Sequence, residues 1–370
     1  MKLGVLTSSR ADYGIYLPLL EKIKKNIFFN LEIIAFGTHL SKGHGYTVSD
    51  IEKGGYEVIY KIVSIVSNDD EQAIATSYAL TSLKFADFWQ NHKYDLVFCL
   101  GDRFEMSAAV QAGIPYGVKF VHFHGGETTL GAIDNVYRHQ ITLASSLHFT
   151  AVDIFKEKVI SLIGTEENVF SVGSLSLDNL SSFAPVDKEV LLERFDIPND
   201  DFVLVTFHPE TIAPTKNLEF AKESCLALFE ISKTINIVIT MPNADTLGST
   251  YRDEIIKLKS QNPDTIFLVE NFGKNNYFSA MYHSKMLIGN TSSGILEAAS
   301  FGKYVVNVGN RQKGRLQSAN VLNVSFDSSF IYEAFSSLII KGNYLGENVY
   351  HKHNVADSII CILKKFDENL

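Results

Sequence analysis

Six short apolar runs in the first half of the chain are too uniform to be amphipathic helices. KLGVLT (2–7), LEIIAFG (31–37), YDLVFCLGD (94–102), KFVHFHGG (119–126), SSLHFTA (145–151) and NVFSVGS (168–174) are near-continuously hydrophobic. That is the pattern of strands covered on both faces. Stretches with helical periodicity, such as YGIYLPLLEKIKK and DEQAIATSYALTSLKFADFWQ, lie between them. The alternation predicts βαβ units and a parallel sheet. It restarts after a polar, proline-containing seam at 181–201, with DFVLVTFHP (201–209), INIVITMPN (235–243), TIFLVENF (265–272), SKMLIGN (284–290) and KYVVNVGN (303–310). The expected architecture is therefore α/β: two Rossmann-like, doubly wound parallel-sheet domains facing each other across a cleft. Ligands collect at the carboxyl ends of strands in such sheets.

Composition narrows the partners. A net charge of −9 over 370 residues argues against a general nucleic-acid or membrane-surface binder. A few placed arginines could still dominate a site for an anionic small ligand. The N-terminus enters directly as a strand, without the apolar core of a signal peptide, and no stretch approaches about 20 apolar residues. A cytoplasmic protein is expected. The three cysteines, Cys99, Cys225 and Cys361, are far apart and lack CxxC spacing, so neither a disulfide framework nor a structural zinc site can be read. Cys99 and Cys225 read as buried small hydrophobes.

The strand ends carry the chemistry. In LIGNTSSGILEAASFG (287–302), Thr291, Ser292 and Ser293 are candidate N-caps for a helix whose first N–H groups suit a diphosphate. Glu297, a turn on, could accept both hydroxyls of a ribose. An ordinary capped helix accounts for these residues equally well. NVGNRQKGRL (307–316) brings Arg311, Lys313 and Arg315 to the same edge, where Arg311 could fork onto a nucleotide. VTFHPETIAP (205–214) offers His208 for a phosphate oxygen or as a proton donor. MPNADTLG (241–248) offers Asn243, though Pro, Asn and Asp there suffice for a turn. In the first half, LTSSRADYG (6–14) supplies Arg10 but no GxGxxG fingerprint, so no dinucleotide cofactor is indicated. LGDRFE (100–105) sets Asp102 beside Arg103, and a capping Asp would explain Asp102 on structure alone. FHGGETTLGAIDNVYRH (123–139) joins a glycine pair to Glu127 and Asp134. Three carboxylates at one sheet edge repel one another, a common way to hold an acid and a base in one site. His122 and His124, with Glu127 beyond, also have generic metal-ligand spacing.

Taken in order, SRADYG, GDRFE, HFHGGE with GAIDNVYRHQIT, GSLSLDN, FHPET, NADT, GNTSSGILEA and GNRQKGR resemble the hydrolysing UDP-N-acetylglucosamine 2-epimerases. The likeness runs from about residue 3 to 325. It implies the glycosyltransferase-B architecture: a domain over 1–182 on the sugar side, a UDP-binding domain over 183–351, and a terminal helix within 352–370 packing back on the first domain. It implies elimination of UDP to a glycal, followed by hydration to N-acetylmannosamine for sialic acid synthesis. By motif match, Asp102, Glu127 and Asp134 are the catalytic carboxylates and His208 assists at the diphosphate. Arg10, Arg103, Asn243, Ser292, Ser293, Glu297 and Arg311 carry over as UDP contacts. The resemblance implies no cofactor, no metal, and a homodimer or homotetramer. A sister group acts on a UDP-2,4-diacetamido-trideoxyhexose with the same motifs, and the sequence does not separate the two sugars. A non-hydrolysing epimerase, a glycosyltransferase and a non-catalytic nucleotide-sugar sensor complete the alternatives.

Overall fold

The computed structural model describes residues 1–66, 68, 70–130, 133–178, 180, 183–210, 214–242 and 248–367. The chain divides into two compact units. One comprises Met1–Glu127, Asp134–Ser181 and Tyr350–Leu370, the other Thr128–Ile133 and Ser182–Val349. The division is not a set of consecutive blocks. The polypeptide leaves the first unit after Glu127, contributes a short segment to the second, and returns at Asp134. In the second unit that segment is tied down by the Leu130 N–H, which donates to the Lys313 carbonyl at 2.9 Å.

In chain order the first unit runs β1 (Lys2–Thr7), α1 (Arg10–Lys24), β2 (Asn30–Phe36), α2 (Val48–Lys53), β3 (Val58–Ile62), α3 (Glu71–Asn91) and β4 (Leu96–Leu100). It continues through α4 (Phe104–Gly113), β5 (Phe120–Phe123), α5 (Asp134–Ala144), β6 (Ser145–Thr150), α6 (Asp153–Ile163) and β7 (Val169–Ser171). Among the described residues its seven strands pair in the order β3-β2-β1-β4-β5-β6-β7, every pair parallel. Strand order reverses at β1/β4, which makes the carboxyl ends of those strands the natural ligand edge. Alternate side chains of β1 enter different layers. Leu3 and Val5 pack with α1, whereas Leu6 packs with Phe85 and Trp89 of α3 and Met106 of α4. Both faces are therefore apolar, which explains why the central strands lack polar alternation.

The second unit holds α7 (Lys188–Arg194), β8 (Phe202–Thr206), α8 (Asn217–Ser232), β9 (Asn236–Thr240), α9 (Gly248–Gln261), β10 (Ile266–Val269) and α10 (Lys274–His283). It ends with β11 (Leu287–Gly289), α11 (Ser292–Leu296), β12 (Val305–Val308), β13 (Val321–Val324) and α12 (Ser328–Ile339). Its six described strands are likewise parallel, in the order β10-β9-β8-β11-β12-β13, reversing at β8/β11.

The last helix, α13 (Val355–Asp367), belongs to the first unit. It buries Val355, Ala356, Ile359 and Leu363 in the layer that contains Leu3 and α1. Its N-terminus is held by Asp178, whose carboxylate accepts the Val355 and Ala356 N–H groups at 2.8 and 3.3 Å. Lys22 of α1 adds an ion pair to Asp357 at 2.7 Å. Cys99 is buried on β4, and burial pushes its thiol pKa up to about 12. Cys225 is only half-buried, packed against the outside of the cluster that holds Leu228 and Ile255, and Cys361 is exposed. Among the described residues no helix is long and apolar enough to cross a membrane.

Candidate active site

In the first unit the residues of interest follow β1, β4 and β5. After β1, Asp12 gathers the turn by accepting the Ser8 and Ser9 N–H groups at 2.7 and 2.8 Å. Arg10 opens α1 from that turn. After β4, Gly101 adopts a left-handed conformation (φ +78°). Arg103, not Asp102, occupies the N-cap position of α4. A capping role therefore does not explain Asp102, whose carboxylate pairs with Arg138 of α5 instead. Arg103 lays its guanidinium on the fully buried Glu105 at 2.9 Å.

β5 delivers two histidines to different tasks. His122 is buried, with Nε2 2.9 Å from the Gly101 carbonyl and Nδ1 3.1 Å from Thr142 Oγ1. Burial, with a smaller contribution from the Arg138 guanidinium, pushes its pKa down to about 3, so it is a neutral tie between the ends of β4 and β5. His124 has a left-handed backbone (φ +64°), uncommon for a residue with a side chain. Three contacts hold it there. Its N–H donates to the Phe149 carbonyl at 3.0 Å, its carbonyl accepts Arg138 Nη1 at 2.6 Å, and its ring Nδ1 donates to Glu127 Oε1 at 2.7 Å. Gly126 completes the turn at φ +77°, where a Cβ would collide with the Phe155 carbonyl.

Glu127 is 1% exposed, and its second oxygen lies 4.0 Å from Arg138 Nη1. Arg138 is also 1% exposed. Asp102, Glu127 and the His124 carbonyl thus converge on one guanidinium, which offsets the repulsion expected between carboxylates. Asp134 begins α5 one turn earlier, on the helix face that carries Arg138. A buried carboxylate oriented by an imidazole and a fixed cation is suited to taking and returning a proton. Among the described residues no group of three or more His, Cys, Asp or Glu side chains has the arrangement of a metal site.

In the second unit, β8, β11 and β12 deliver His208, Asn290 and Arg311. Gly289 ends β11 at φ +140°, and a Cβ there would collide with the Thr206 carbonyl. Asn290 is fully buried and grips the His208 backbone from both sides. The His208 N–H donates to Asn290 Oδ1 at 2.7 Å, and Asn290 Nδ2 donates to the His208 carbonyl at 2.8 Å. The Asn290 carbonyl in turn accepts Gln312 Nε2 at 2.8 Å and Arg311 Nη1 at 3.5 Å. Glu210, buried two residues past His208, accepts the Asn310 N–H and anchors the same loop.

The serines differ from the sequence reading in one respect. Thr291 holds the N-cap position of α11 without a side-chain capping bond, and α11 is only five residues long before a 3₁₀ turn at Ala298–Phe301. A helix this short has little macrodipole to offer an anion. Ser292 is its first residue, and Ser293 Oγ lies 2.6 Å from the Tyr277 hydroxyl. Glu297 closes α11, is buried, and raises the Tyr277 pKa after the larger effect of burial. Asn243 lies outside the described residues.

A family profile described as UDP-N-acetylglucosamine 2-epimerase matches residues 21–364. The chain belongs to that epimerase family. It is 32% identical over 338 residues to a GDP/UDP-N,N'-diacetylbacillosamine 2-epimerase (hydrolyzing) of Campylobacter jejuni, covering 91% of this chain and 87% of the relative. It is 30% identical to the polysialic acid biosynthesis protein P7 of Escherichia coli, covering 99% and 94%. The crystal structure of a UDP-GlcNAc 2-epimerase from Neisseria meningitidis bound to UDP-GlcNAc superposes with a TM-score of 0.83 at 19% identity. The match covers 99% of this chain and all of that one, and it shows the shared fold.

Two residues of this candidate site, Arg138 and Asn290, carry no sequence signal of their own, and a third, His124, takes a different part from the one its spacing suggests. Arg138 sits in VYRHQ, where an arginine on a polar helix looks solvated. The spacing of His124 suggests a metal ligand, whereas its ring meets Glu127. Asn290 follows a strand like any turn-forming asparagine. Gly126, two residues past His124, and Gly289, just before Asn290, are each required by a close backbone approach and are the available signal.

Proposed function

We propose that this chain is a hydrolysing UDP-sugar 2-epimerase that converts UDP-N-acetylglucosamine and water to N-acetylmannosamine and UDP. A base removes the C2 proton while the C1–O bond breaks and its electron pair leaves with UDP. This gives a glycal with a C1=C2 double bond. Water then adds its hydroxyl at C1 and a proton returns to C2 on the opposite face, which inverts that centre. The observation that carries this reading is the buried Glu127, held by His124 and Arg138 beside Asp102. The C2 hydrogen is not acidic, so its removal needs an aligned carboxylate as positive charge develops at C1.

In this reading Glu127 is the C2 base, Asp102 and Asp134 serve the remaining proton transfers and charge stabilisation, and His208 attends the leaving diphosphate. Arg10, Arg103, Asn243, Ser292, Ser293, Glu297 and Arg311 contact UDP. The first unit supplies the sugar chemistry and the second most of the nucleotide binding. The same reading assigns the chain to cytoplasmic sialic acid synthesis as a homodimer or homotetramer, with activity unaffected by EDTA. A second reading, a UDP-2,4-diacetamido-trideoxyhexose substrate, is favoured by the identity to the Campylobacter relative.

Proton NMR in D₂O with each nucleotide sugar tests both. Free UDP and N-acetylmannosamine deuterated at C2 are expected from UDP-N-acetylglucosamine. Turnover of the diacetamido sugar alone would establish the second reading. Formation of UDP-N-acetylmannosamine would overturn hydrolysis.

A further inference from the structure

We propose that Asn290 is the positioning residue of the second unit's UDP site, aligning His208 and the Arg311 loop. The inference rests on the UDP reading above. Several observations carry it. Asn290 is 0% exposed yet spends both ends of its amide on one backbone, at 2.7 and 2.8 Å from the N–H and carbonyl of His208. The side chain thus substitutes for a strand partner where β8 has ended, since β8 stops at Thr206. The Asn290 N–H continues the β8 ladder by donating to the Thr206 carbonyl at 3.1 Å. Its carbonyl receives Gln312 and Arg311 from the loop after β12. One residue therefore links three consecutive strand ends across the point where the sheet order reverses.

The chemistry fits asparagine and no close substitute. Only an amide offers an acceptor and a donor at this spacing to meet a backbone N–H and carbonyl together. Aspartate keeps the acceptor but turns an oxygen toward the His208 carbonyl. Gly289 makes the approach possible, because any Cβ there would meet the Thr206 carbonyl and push β11 away from β8. Asn290 itself need not touch ligand. Its effect passes through the direction in which His208 and Arg311 point.

The test uses the full-length chain with histidine labelled at ¹³Cε1, the His208 signal being assigned by its loss in His208→Gln. Two variants are measured for that signal and for UDP affinity by calorimetry. Asn290→Asp should move the His208 signal and weaken UDP binding by about tenfold or more, as loss of a buried hydrogen bond would. Gln312→Leu, which frees only the loop, should weaken UDP binding while leaving the His208 signal in place. Asn290→Asp with a wild-type His208 signal and wild-type UDP affinity would overturn the proposal. So would an Asn290→Asp chain that fails to fold together with a Gln312→Leu chain that binds UDP normally, because Asn290 would then be a packing residue. If the unmodified protein does not bind UDP, the functional reading fails, and the His208 signal still decides whether Asn290 orients that residue.

Discussion

Arg138 does two jobs that one smaller cation could not. Its Nη1 reaches the His124 carbonyl at 2.6 Å while its Nη2 pairs with Asp102, and these directions are fixed by the planar guanidinium. Arg138→Lys should therefore keep the charge and lose one of the two partners. We expect turnover to fall by about two decades with UDP affinity nearly unchanged, as when an interaction is used mainly in the transition state. Steady-state kinetics with calorimetry for UDP checks this, and parallel losses in both would place Arg138 at the nucleotide. Glu127→Gln removes charge and keeps shape. It should likewise lower turnover by about two decades or more while sparing UDP binding, and near-normal turnover would return Glu127 to a structural role. The left-handed backbone of His124 belongs to the same assembly. A strained residue persists only where its surroundings fix it, and here those surroundings are Arg138, Glu127 and Phe149.

Among the elements, α13 has its N-terminus capped by a distant carboxylate. Asp178 lies 177 residues from the Val355 N–H it accepts. Removing such a cap typically costs about 1 kcal/mol, up to about 2. Asp178→Ala should lower the thermal midpoint by a few degrees and raise hydrogen exchange first at the start of α13. Uniform exchange along the chain would contradict this. No local sequence signal could have revealed the pairing, because its partners meet only in the folded unit. The strands divide in the same way. β1, β4 and β8 were legible because both faces are covered and every position after the first is apolar or small. β3 and β13 escaped notice because they are edge strands, half-exposed along their length, so their sequences alternate or mix. In the candidate site, the motifs point to Asp102 and Glu127, which the fold brings to one guanidinium. The guanidinium between them was hidden because burial of an arginine is decided by tertiary packing.

For the whole molecule, acid is the sensitive side. His122 and His148 are buried neighbours on β5 and β6, with pKa values pushed down to about 3 and about 4, chiefly by burial. Both lie below the ordinary value of about 6.5, so between those limits the unfolded chain binds more protons than the folded one. The stability tied to their neutral forms is complete above about pH 6.5 and is lost as pH falls toward 4, by about 1.4 kcal/mol per unit for each group. Denaturant midpoints at pH 7.5 and 5 should differ accordingly. His148→Leu should remove roughly half the slope, because it removes one of the two buried imidazoles that must take up a proton on unfolding. An unchanged slope would assign the acid sensitivity elsewhere.

The two units are also interleaved along the gene. The first takes its final layer from Tyr350–Leu370, and the second borrows Thr128–Ile133 from the middle of the first. A cut at the polar seam would strand Leu3, Val5 and Leu19 without the helix that covers them. Recombination between relatives meets the same obstacle. A single crossover near residue 182 would mate a first unit with a foreign α13 and a second unit with a foreign strap. Exchange of one whole unit by domain shuffling would therefore require four coordinated joints, whereas point substitution in the strand-end loops requires none. Diversification of such a chain is steered toward its loops by the path of its backbone.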